Sequence, residues 1–385
     1  MKRAVIVGAG IAGLAAALRL GQDGWRALVV ERAPTRRGSG YLVNLLGPGY
    51  GAAERLGLLP ALSAHDVGLF TTVLVHADGR PKFTVPSAIA EATIGKRAIS
   101  VFRGDLESTL YEAVRDRVEI RFGVTVESID QDTDGVRVVL SDGTTEHADL
   151  LVGADGVHSA TRTAVLGSGF RVDLPYVVGA FPLDHPVAGV PRSSATTFIG
   201  PGRTAAVVNL GPHRSAAFFT YRCADPAAEL RRGPVGALGA TFGDLGAGVP
   251  DALRHLREDS ARAYFDAVSQ VVVPRWSSGR VVLLGDAAWC VTLFAGHGAA
   301  LALAGADHLG AALRRHADDI PSALAEWESR LRPEAAKRQA LARRGMLQYA
   351  PPSQFHVWMN DLTIRAITLP GIRGLVRRGI ERANR

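Results

Sequence analysis

Cysteine is nearly absent from this chain of 385 residues. Cys223 and Cys290 are the only two, they lie far apart, and neither belongs to a CxxC pair. This usage speaks against a disulfide framework and against a cysteine-ligated metal site, so no metal is expected. Two cysteines without a framework fit a reducing compartment, and we therefore expect a cytoplasmic protein.

The charge pattern also lacks the features of nucleic-acid-binding and membrane proteins. Lys and Arg outnumber Asp and Glu by 44 to 37, but no basic run carries interleaved aromatic residues, which speaks against nucleic-acid binding. Residues 287–306 are nearly free of charge and long enough to span a bilayer. Asp286, His297 and several glycines favour a buried strand, turn and helix there instead, so no membrane span is expected.

Residues 4–31 have the pattern of a complete dinucleotide-binding unit. A short apolar strand leads into Gly8, Gly10 and Gly13 at GxGxxG spacing, and an alanine-rich helix and a second strand ending in Glu31 follow. Gly8 allows the tight turn, Gly10 lets a pyrophosphate approach, and Gly13 lets the helix pack closely on the strand. The helix N-terminus would bind the phosphates, and Glu31 would bind ribose hydroxyls.

The order of strands and helices indicates one fold interrupted by another. Short strands separated by turn residues run from about residue 171 to 274, and a hairpin is predicted at 73–85, whereas a buried strand and long helices after 279 resume the first pattern. The hydrophobic content of 47% is enough for a large core in two domains. We expect an α/β fold with an α+β insert: a discontinuous Rossmann-type cofactor domain (1–72, 98–172 and 275–345), an inserted, mostly antiparallel substrate domain (73–97 and 173–274) and C-terminal helices (346–385).

Two further motifs make the cofactor prediction specific. One is GADGVHS at 153–159, and the other is GDAA at 285–288, followed by GHGA at 296–299. With the N-terminal fingerprint, this order resembles the class A FAD-dependent monooxygenases, which include para-hydroxybenzoate hydroxylase and the tetracycline-inactivating monooxygenases. The resemblance covers residues 1–345. It implies a Rossmann-type FAD-binding domain, an inserted substrate domain, and tightly but non-covalently bound FAD.

The resemblance also implies a role for each matching residue. The segment from Gly8 to Leu14 would hold the FAD pyrophosphate. Glu31 and Arg32 would hold the adenosine end. The backbone of Val126 would border the adenine. The implied FAD-binding set is Gly8, Gly10, Ile11, Ala12, Gly13, Glu31, Arg32, Arg103, Val126, Asp155, Asp286, Gly298 and Ala299.

The remaining implied roles concern the flavin end. Arg103 would reach the phosphate and ribityl side, Asp286 would bind the ribityl or pyrophosphate region, and Asp155 would lie beside the pyrophosphate and the route of the nicotinamide cofactor. Gly298 and Ala299 would present backbone N–H groups to flavin N1 and O2. A helix N-terminus at that position would stabilise negative charge that develops near N1.

The implied reaction is oxygen transfer. FAD would take electrons from a transient NAD(P)H co-substrate and use O2 to hydroxylate or oxygenate an aromatic, polycyclic or enolic small molecule, in secondary metabolism or xenobiotic modification. We expect a monomer or homodimer whose partners are the small-molecule substrate and O2. A simple NAD-dependent dehydrogenase is the weaker reading, because it leaves the motifs of Asp155 and Asp286 unexplained.

The substrate side departs from the family pattern. Leu293 stands where a proline is usual, Ala300 where an asparagine is usual, and Asn44 where an aspartate is frequent. One interpretation is a larger apolar pocket, formed by Leu45, Leu46, Trp289, Leu293 and Phe294. The alternative is a redox-neutral cyclase that keeps FAD as a scaffold.

No catalytic side chain is assigned, because the flavin would perform the chemistry. The substrate-side candidates are His297, Trp289, Arg222, Asn44 and, beside Arg222, Tyr221. His297 would either donate a hydrogen bond to flavin O2 or to the substrate, or serve only as the residue that starts a helix.

Overall fold

A computed structural model describes residues 1–36, 41–89, 97–211 and 214–368. The basic segment 373–385, which the sequence predicts as an amphipathic helix, lies outside these ranges.

The strands are β1 (Arg3–Val7), β2 (Arg26–Glu31), β3 (Leu42–Leu46), β4 (Thr71–Val75), β5 (Pro81–Val85), β6 (Ala98–Phe102), β7 (Glu119–Phe122), β8 (Val126–Gln131), β9 (Val136–Leu140), β10 (Thr145–Ala148), β11 (Leu150–Gly153), β12 (Arg171–Leu183), β13 (Ser194–Gly200), β14 (Arg203–Asn209), β15 (Ser215–Arg222), β16 (Tyr264–Val271), β17 (Ser277–Ser278) and β18 (Val281–Leu283). The α-helices are α1 (Ile11–Gln22), α2 (Pro48–Arg55), α3 (Leu59–Ser63), α4 (Arg103–Val114), α5 (Ala160–Leu166), α6 (Pro226–Phe242), α7 (Val249–Glu258), α8 (Asp286–Trp289), α9 (Gly298–Arg315), α10 (Ile320–Tyr349) and α11 (Gln354–Thr368).

A mostly parallel sheet carries the N-terminal glycine motif. Its strand order is β17-β18-β11-β1-β2-β7, and every pair except β17-β18 is parallel. The central strands are apolar over most of their length because helices and a small sheet (β10-β9-β8) cover them. The carboxyl ends of β1, β11 and β18 therefore bring the three motifs to one edge.

The turn after β1 is possible only with glycine at two positions. Gly8 has φ +106°, and a Cβ on Gly13 would lie 1.9 Å from the carbonyl oxygen of Gly8. The start of α1 is thus in backbone contact with the end of β1. No other residue fits at position 13 without moving the helix off the strand.

A seven-stranded sheet is mostly antiparallel. Its order is β16-β12-β15-β14-β13-β4-β5, and β13-β4 is its one parallel pair. One face is buried under α6 and α7, in a core that includes Phe181, Phe219 and Phe242. The other face is turned toward the helix-start loop before α9 and toward α10, where Tyr176 and Phe294 pack edge to face.

The predicted fold class is confirmed: a Rossmann-type domain, an inserted and mostly antiparallel sheet, and a C-terminal helical segment. The residue numbers assigned to the domain boundaries stay a prediction. In the ranges that the structure describes, no helix is both long and apolar enough to cross a membrane.

Candidate functional site

The N-terminus of α1 and Glu31 form one end of a cleft. The Glu31 carboxylate accepts hydrogen bonds from the backbone N–H groups of Ala9 (2.8 Å) and Ala33 (2.9 Å), which fix its position beside the glycine turn. Each carboxylate oxygen keeps a further lone pair for a ligand hydroxyl. The first N–H groups of a helix have no partner within the helix, so those of Ile11 and Ala12 are donors suited to phosphate.

Two other predicted adenosine-side residues lie close by. The backbone N–H of Val124 donates to the carbonyl of Glu31 at 3.0 Å, which places Val126, two residues on, near this end of the cleft. Val126 packs against the apolar cluster that contains Val7 and Val30. Arg32 is exposed.

Arg103 and Asp286 form the middle of the cleft. Arg103 is anchored by Glu107, one turn further along α4 (2.6 Å), and by its own backbone N–H, which donates to the carbonyl of Tyr41 at 2.8 Å. Its guanidinium lies over the ring of Tyr41 at 5.8 Å. Burial raises the pKa of Tyr41 to about 12, against the opposing effect of Arg103, so the phenol stays protonated near neutral pH.

Asp286 shows that this cleft is deep and open. Burial raises the pKa of its carboxyl group, and the nearby Arg103 opposes that shift. The residue is nevertheless exposed to solvent, although its neighbours on both sides are buried. A carboxyl group that is both surrounded by protein and accessible lines an internal slot.

The GADG and GDAA motifs are joined by a buried arginine. Arg162 donates to the carbonyl of Val157 at 2.8 Å and to that of Ala287 at 3.1 Å, one in each motif. The Asp155 carboxylate accepts from the Ser159 hydroxyl and from the backbone N–H of Thr161 at 2.9 Å. Both oxygens of Asp155 thus orient the start of α5, beside the same edge of the sheet.

The loop from Thr292 to His297 forms the far end of the cleft. Thr292 has φ +82°, a backbone conformation that is unusual for a residue with a branched side chain. The loop leads into α9, whose first residues are Gly298 and Ala299, as the motif predicts. This 18-residue helix begins directly after the loop, and no side chain within the described ranges caps its N-terminus.

His297 is the residue that precedes α9, and its imidazole is neutral near pH 7. Burial lowers its pKa. One ring nitrogen, Nδ1, lies against the carbonyl oxygen of Ala295 and must donate to it, so Nε2 is left as an acceptor. Nε2 is buried and has no protein partner. The imidazole therefore offers an acceptor, not the donor that one reading of the sequence expects.

The departure at Ala300 has a packing cause. A Cβ on Gly49 of α2 would lie 2.4 Å from the Cβ of Ala300, so the two helices meet backbone to backbone there. An asparagine at position 300 would have no space on that side. Ala300 therefore reflects close packing of α2 on α9.

Two of the expected pocket residues belong to the core instead. Trp289 is 2% exposed and packs against Trp276 and Trp327, with ring centroids 4.5 and 5.8 Å away. Leu45 is fully buried. The expectation that these two side chains line a substrate pocket is corrected, because the core of the parallel-sheet domain holds both. Leu293 and Phe294, by contrast, pack toward the antiparallel sheet.

The remaining candidates differ in orientation. Asn44 accepts a hydrogen bond from the Ser100 hydroxyl at 2.7 Å, across β3 and β6. Tyr221 points into the core under α6 and donates to Glu229 at 2.7 Å, so the expectation that it faces the substrate is corrected. Arg222, its neighbour, is exposed on the opposite face at the end of β15.

The open face of the antiparallel sheet carries residues that the motifs do not reveal. Seven cross-strand partners form a continuous line, which we name the neutral row because none of its side chains is charged. It runs through Tyr264, Ala180, Phe218, Ala206, Thr197, Leu74 and Phe83. Five of these are partly exposed, although most lie on central strands whose other face is fully buried. The row is therefore only partly covered by the elements that pack on this face.

Aromatic contacts connect the neutral row to the cleft. Tyr264 packs on Tyr41, with ring centroids 5.7 Å apart, and Phe218 belongs to the cluster that includes Leu293 and Phe294. Tyr349, at the end of α10, stacks on Phe294 at 4.9 Å. The space over the row thus opens onto the slot that Asp286 lines. The alternation of small and aromatic residues in the strands is the signal that could have indicated this surface.

A cavity of about 320 Å³ lies beside Phe294. It is bordered by His297 and by one face of α10, including Arg338 and Arg344.

The donors and the shape of the cleft fit FAD. A Cβ on Gly10 would meet no atom within 4 Å, which leaves open space above the N-terminus of α1 for a pyrophosphate. Glu31 at one end, Arg103 and Asp286 in the middle and the N-terminus of α9 at the other supply partners for ribose, phosphate, ribityl and flavin groups in that order.

Comparisons with known proteins agree with this geometry. Residues 2–173 match the model of the FAD binding domain family. The flavin-dependent monooxygenase eupH of Phoma sp is 30% identical over 388 residues, covering 92% of this chain and 89% of that relative. Tetracycline destructase Tet(51) superposes with a TM-score of 0.81 at 25% identity, covering 100% of this chain and 98% of that one. Klebsiella pneumoniae HpxO, crystallised with FAD and uric acid, superposes with a TM-score of 0.80 at 26% identity, covering 98% and 96%.

Proposed function

This chain belongs to the class A FAD-dependent monooxygenases, and we propose that it uses NAD(P)H and O2 to hydroxylate or oxygenate an aromatic, polycyclic or enolic small molecule. The observation that carries this proposal is the deep slot lined by Asp286 and Arg103, which opens at its far end onto the neutral row. That arrangement suits a cofactor held beside a separate space for a substrate.

FAD, when bound, takes electrons from the nicotinamide cofactor and uses O2 to transfer one oxygen atom to the substrate. The chain's own residues bind and orient it. The N-terminus of α1 would hold the pyrophosphate, and Glu31, fixed by the N–H groups of Ala9 and Ala33, would hold the ribose. Arg103, clamped by Glu107, would neutralise phosphate charge without moving.

At the reacting end, the N-terminus of α9 would stabilise negative charge. Gly298 and Ala299 present backbone N–H groups that are already oriented, so no reorganisation is needed when charge develops. Leu293, Phe294 and Tyr349 would exclude water from the reacting atoms. The redox-neutral cyclase is not proposed, because named relatives are monooxygenases and hydroxylases.

A substrate panel with an isotope readout tests the proposal. We expect the purified protein to be yellow, to oxidise NADH or NADPH faster when an accepted phenol or naphthol is present, and to place one atom from 18O2 in the product. If neither NADH nor NADPH reduces the bound flavin, whichever compound of the panel is present, the proposal is contradicted. Product without label would contradict the oxygen transfer specifically.

A further inference from the structure

The neutral row forms a long floor without charge. Cross-strand partners lie about 4.8 Å apart, so the five strands from Tyr264 to Thr197 give a floor roughly 19 Å long. That length suits a flat ring system of more than one ring.

The surroundings of the row are also neutral. Along each strand, the next side chains on the same face are those of Ala, Val, Thr, Ile and Pro, with one charged exception, Asp266. The carboxylate of Asp266 is 3.0 Å from Nε2 of His158, in the GADGVHS segment. Its hydrogen-bonding capacity is therefore directed to the boundary between the two sheets.

The charges at the far edge of the row are engaged as well. Lys82, beside Phe83, lies 3.3 Å from the carboxylate of Asp361 on α11. Arg365 lies over the ring of Phe83 at 4.6 Å. Lys82 is on the edge strand β5, four strand spacings or roughly 19 Å from Phe218, and Arg365 is on α11, beside that same strand. Arg222 is on the same strand as Phe218 but four residues along, or roughly 13 Å away.

An ionised group placed over the middle of the row would lose water, and neither the row nor its same-face neighbours on the described strands carry a positive charge that could pair with it. Burial of an unpaired carboxylate is strongly unfavourable, whereas a hydroxyl or carbonyl group needs only a hydrogen bond, which Thr197 or Tyr264 can supply. A ring without charge gains apolar contact with Phe218, Ala206 and Leu293 and loses little.

We propose that the substrate of this site is an uncharged, flat, multi-ring compound, and that the neutral row selects against a carboxylate on the part that lies over it. This inference rests on the proposed function for the identity of the site. It assigns the selection to Ala206, Thr197 and Phe218, three cross-strand neighbours that the motifs do not mark.

The test compares two probes that differ by one carboxylate, 2-naphthol and 6-hydroxy-2-naphthoate. Each is titrated near pH 7 into the FAD-bound protein without NAD(P)H, and the dissociation constant is taken from the flavin difference spectrum and from calorimetry. We expect 2-naphthol to bind at least tenfold more tightly. Equal or tighter binding of the carboxylate, or binding of neither probe, would overturn the inference.

Variants of the row assign the selection to these residues. Ala206→Arg should bind the naphthoate more tightly than the unchanged protein and reverse the preference, whereas Ala206→Gln, similar in length but uncharged, should not. Thr197→Arg repeats the test from the neighbouring strand if the first variant folds poorly, as judged by FAD content and melting temperature. A preference that Ala206→Arg and Thr197→Arg both leave unchanged would refute the assignment.

Failure of this inference is distinguishable from failure of the proposed function. Binding is read without turnover, so a protein that selects 2-naphthol but whose flavin is never reduced keeps the inference and loses the function. A protein that oxidises NADPH in the presence of substrate but binds the naphthoate more tightly keeps the proposed function and loses the inference.

Discussion

The two walls of the cleft are built in different ways. The cofactor wall is the turn after β1 with the start of α1, where backbone atoms are in direct contact. A Cβ on Gly13 would lie 1.9 Å from the carbonyl oxygen of Gly8, and a Cβ on Gly8 would lie 2.5 Å from the carbonyl oxygen of Ala154. On the substrate wall, partly exposed side chains such as Phe218 and Thr197 stand on a sheet whose main core is on its other face. The first wall cannot change without moving strands and helices. The second can change its chemistry while the fold stays the same.

The sharpest test of this comparison uses two adjacent phenylalanines on β15. Phe219 is fully buried under α6 and contacts Phe181 and Phe242, so Phe219→Ala should lower the free energy of unfolding by about 3–5 kcal/mol. Phe218→Ala should cost less, about 1–2 kcal/mol, because that side chain is only partly buried, and it should also alter ligand binding. Urea unfolding of both variants measures the difference. Equal costs would mean that the open face is packed.

A larger residue at position 13 should destabilise the cofactor wall. Gly13→Ala forces a methyl group against the carbonyl of Gly8, and we expect a loss of about 1–3 kcal/mol in stability together with lower FAD content. Gly21→Ala, in the last turn of the same helix, meets nothing within 4 Å and should stabilise the chain by roughly 0.5–1 kcal/mol. Melting temperatures of the two apoproteins give the comparison. Tolerance of alanine at position 13 would show that the contact is not tight.

Substitution of Gly10 should change FAD binding without changing the stability of the fold. Gly10→Ala places a methyl group in the open space above α1 where the pyrophosphate is expected, so the dissociation constant for FAD should rise about tenfold, or about 1.4 kcal/mol. The apoprotein should melt at the same temperature as the unchanged chain. Fluorescence titration of apoprotein with FAD measures the affinity. An unchanged constant would mean that the pyrophosphate lies elsewhere.

The smallest expected effect concerns acid stability. Burial lowers the pKa of His297 below its ordinary value of 6.5, so below about pH 6.5 the unfolded chain binds a proton that the folded chain does not. Stability must therefore fall as the pH falls through that range, and it is fully retained above it. His297→Gln should reduce this fall between about pH 7.5 and 5. Urea unfolding at both pH values measures it, and an unchanged fall would assign the acid sensitivity to other groups.

The sequence predicts the cofactor wall well because its constraints are local. The strand, glycine turn, helix and Glu31 follow one another within 28 consecutive residues, and the observed β1, α1 and β2 match them. The strand ends that carry Asp155 and Asp286 are brought to the same edge by parallel pairing, as their motifs imply. The specific FAD contacts of these residues stay predictions that the geometry supports.

The substrate wall is harder to predict because the direction of each side chain and its burial depend on elements that are distant in sequence. Trp289 follows the GDAA motif directly, yet it packs between Trp276, which precedes the motif, and Trp327, which follows it. Tyr221 and Arg222 are neighbours on one strand, and only the packing of α6 decides that the tyrosine is buried and the arginine is not. Ala300 is explained by Gly49, 251 positions earlier in the chain.

By itself, the sequence determines the fold class, the family and the place of the dinucleotide turn, because backbone conformation and close approach allow only glycine at a few positions. Only the tertiary structure decides the neutral row, whose members are drawn from seven strands between Leu74 and Tyr264 and are aligned by cross-strand register. The physical reason is that alternate residues of a strand point to opposite faces, and the face that becomes a floor is the one that α6 and α7 leave uncovered.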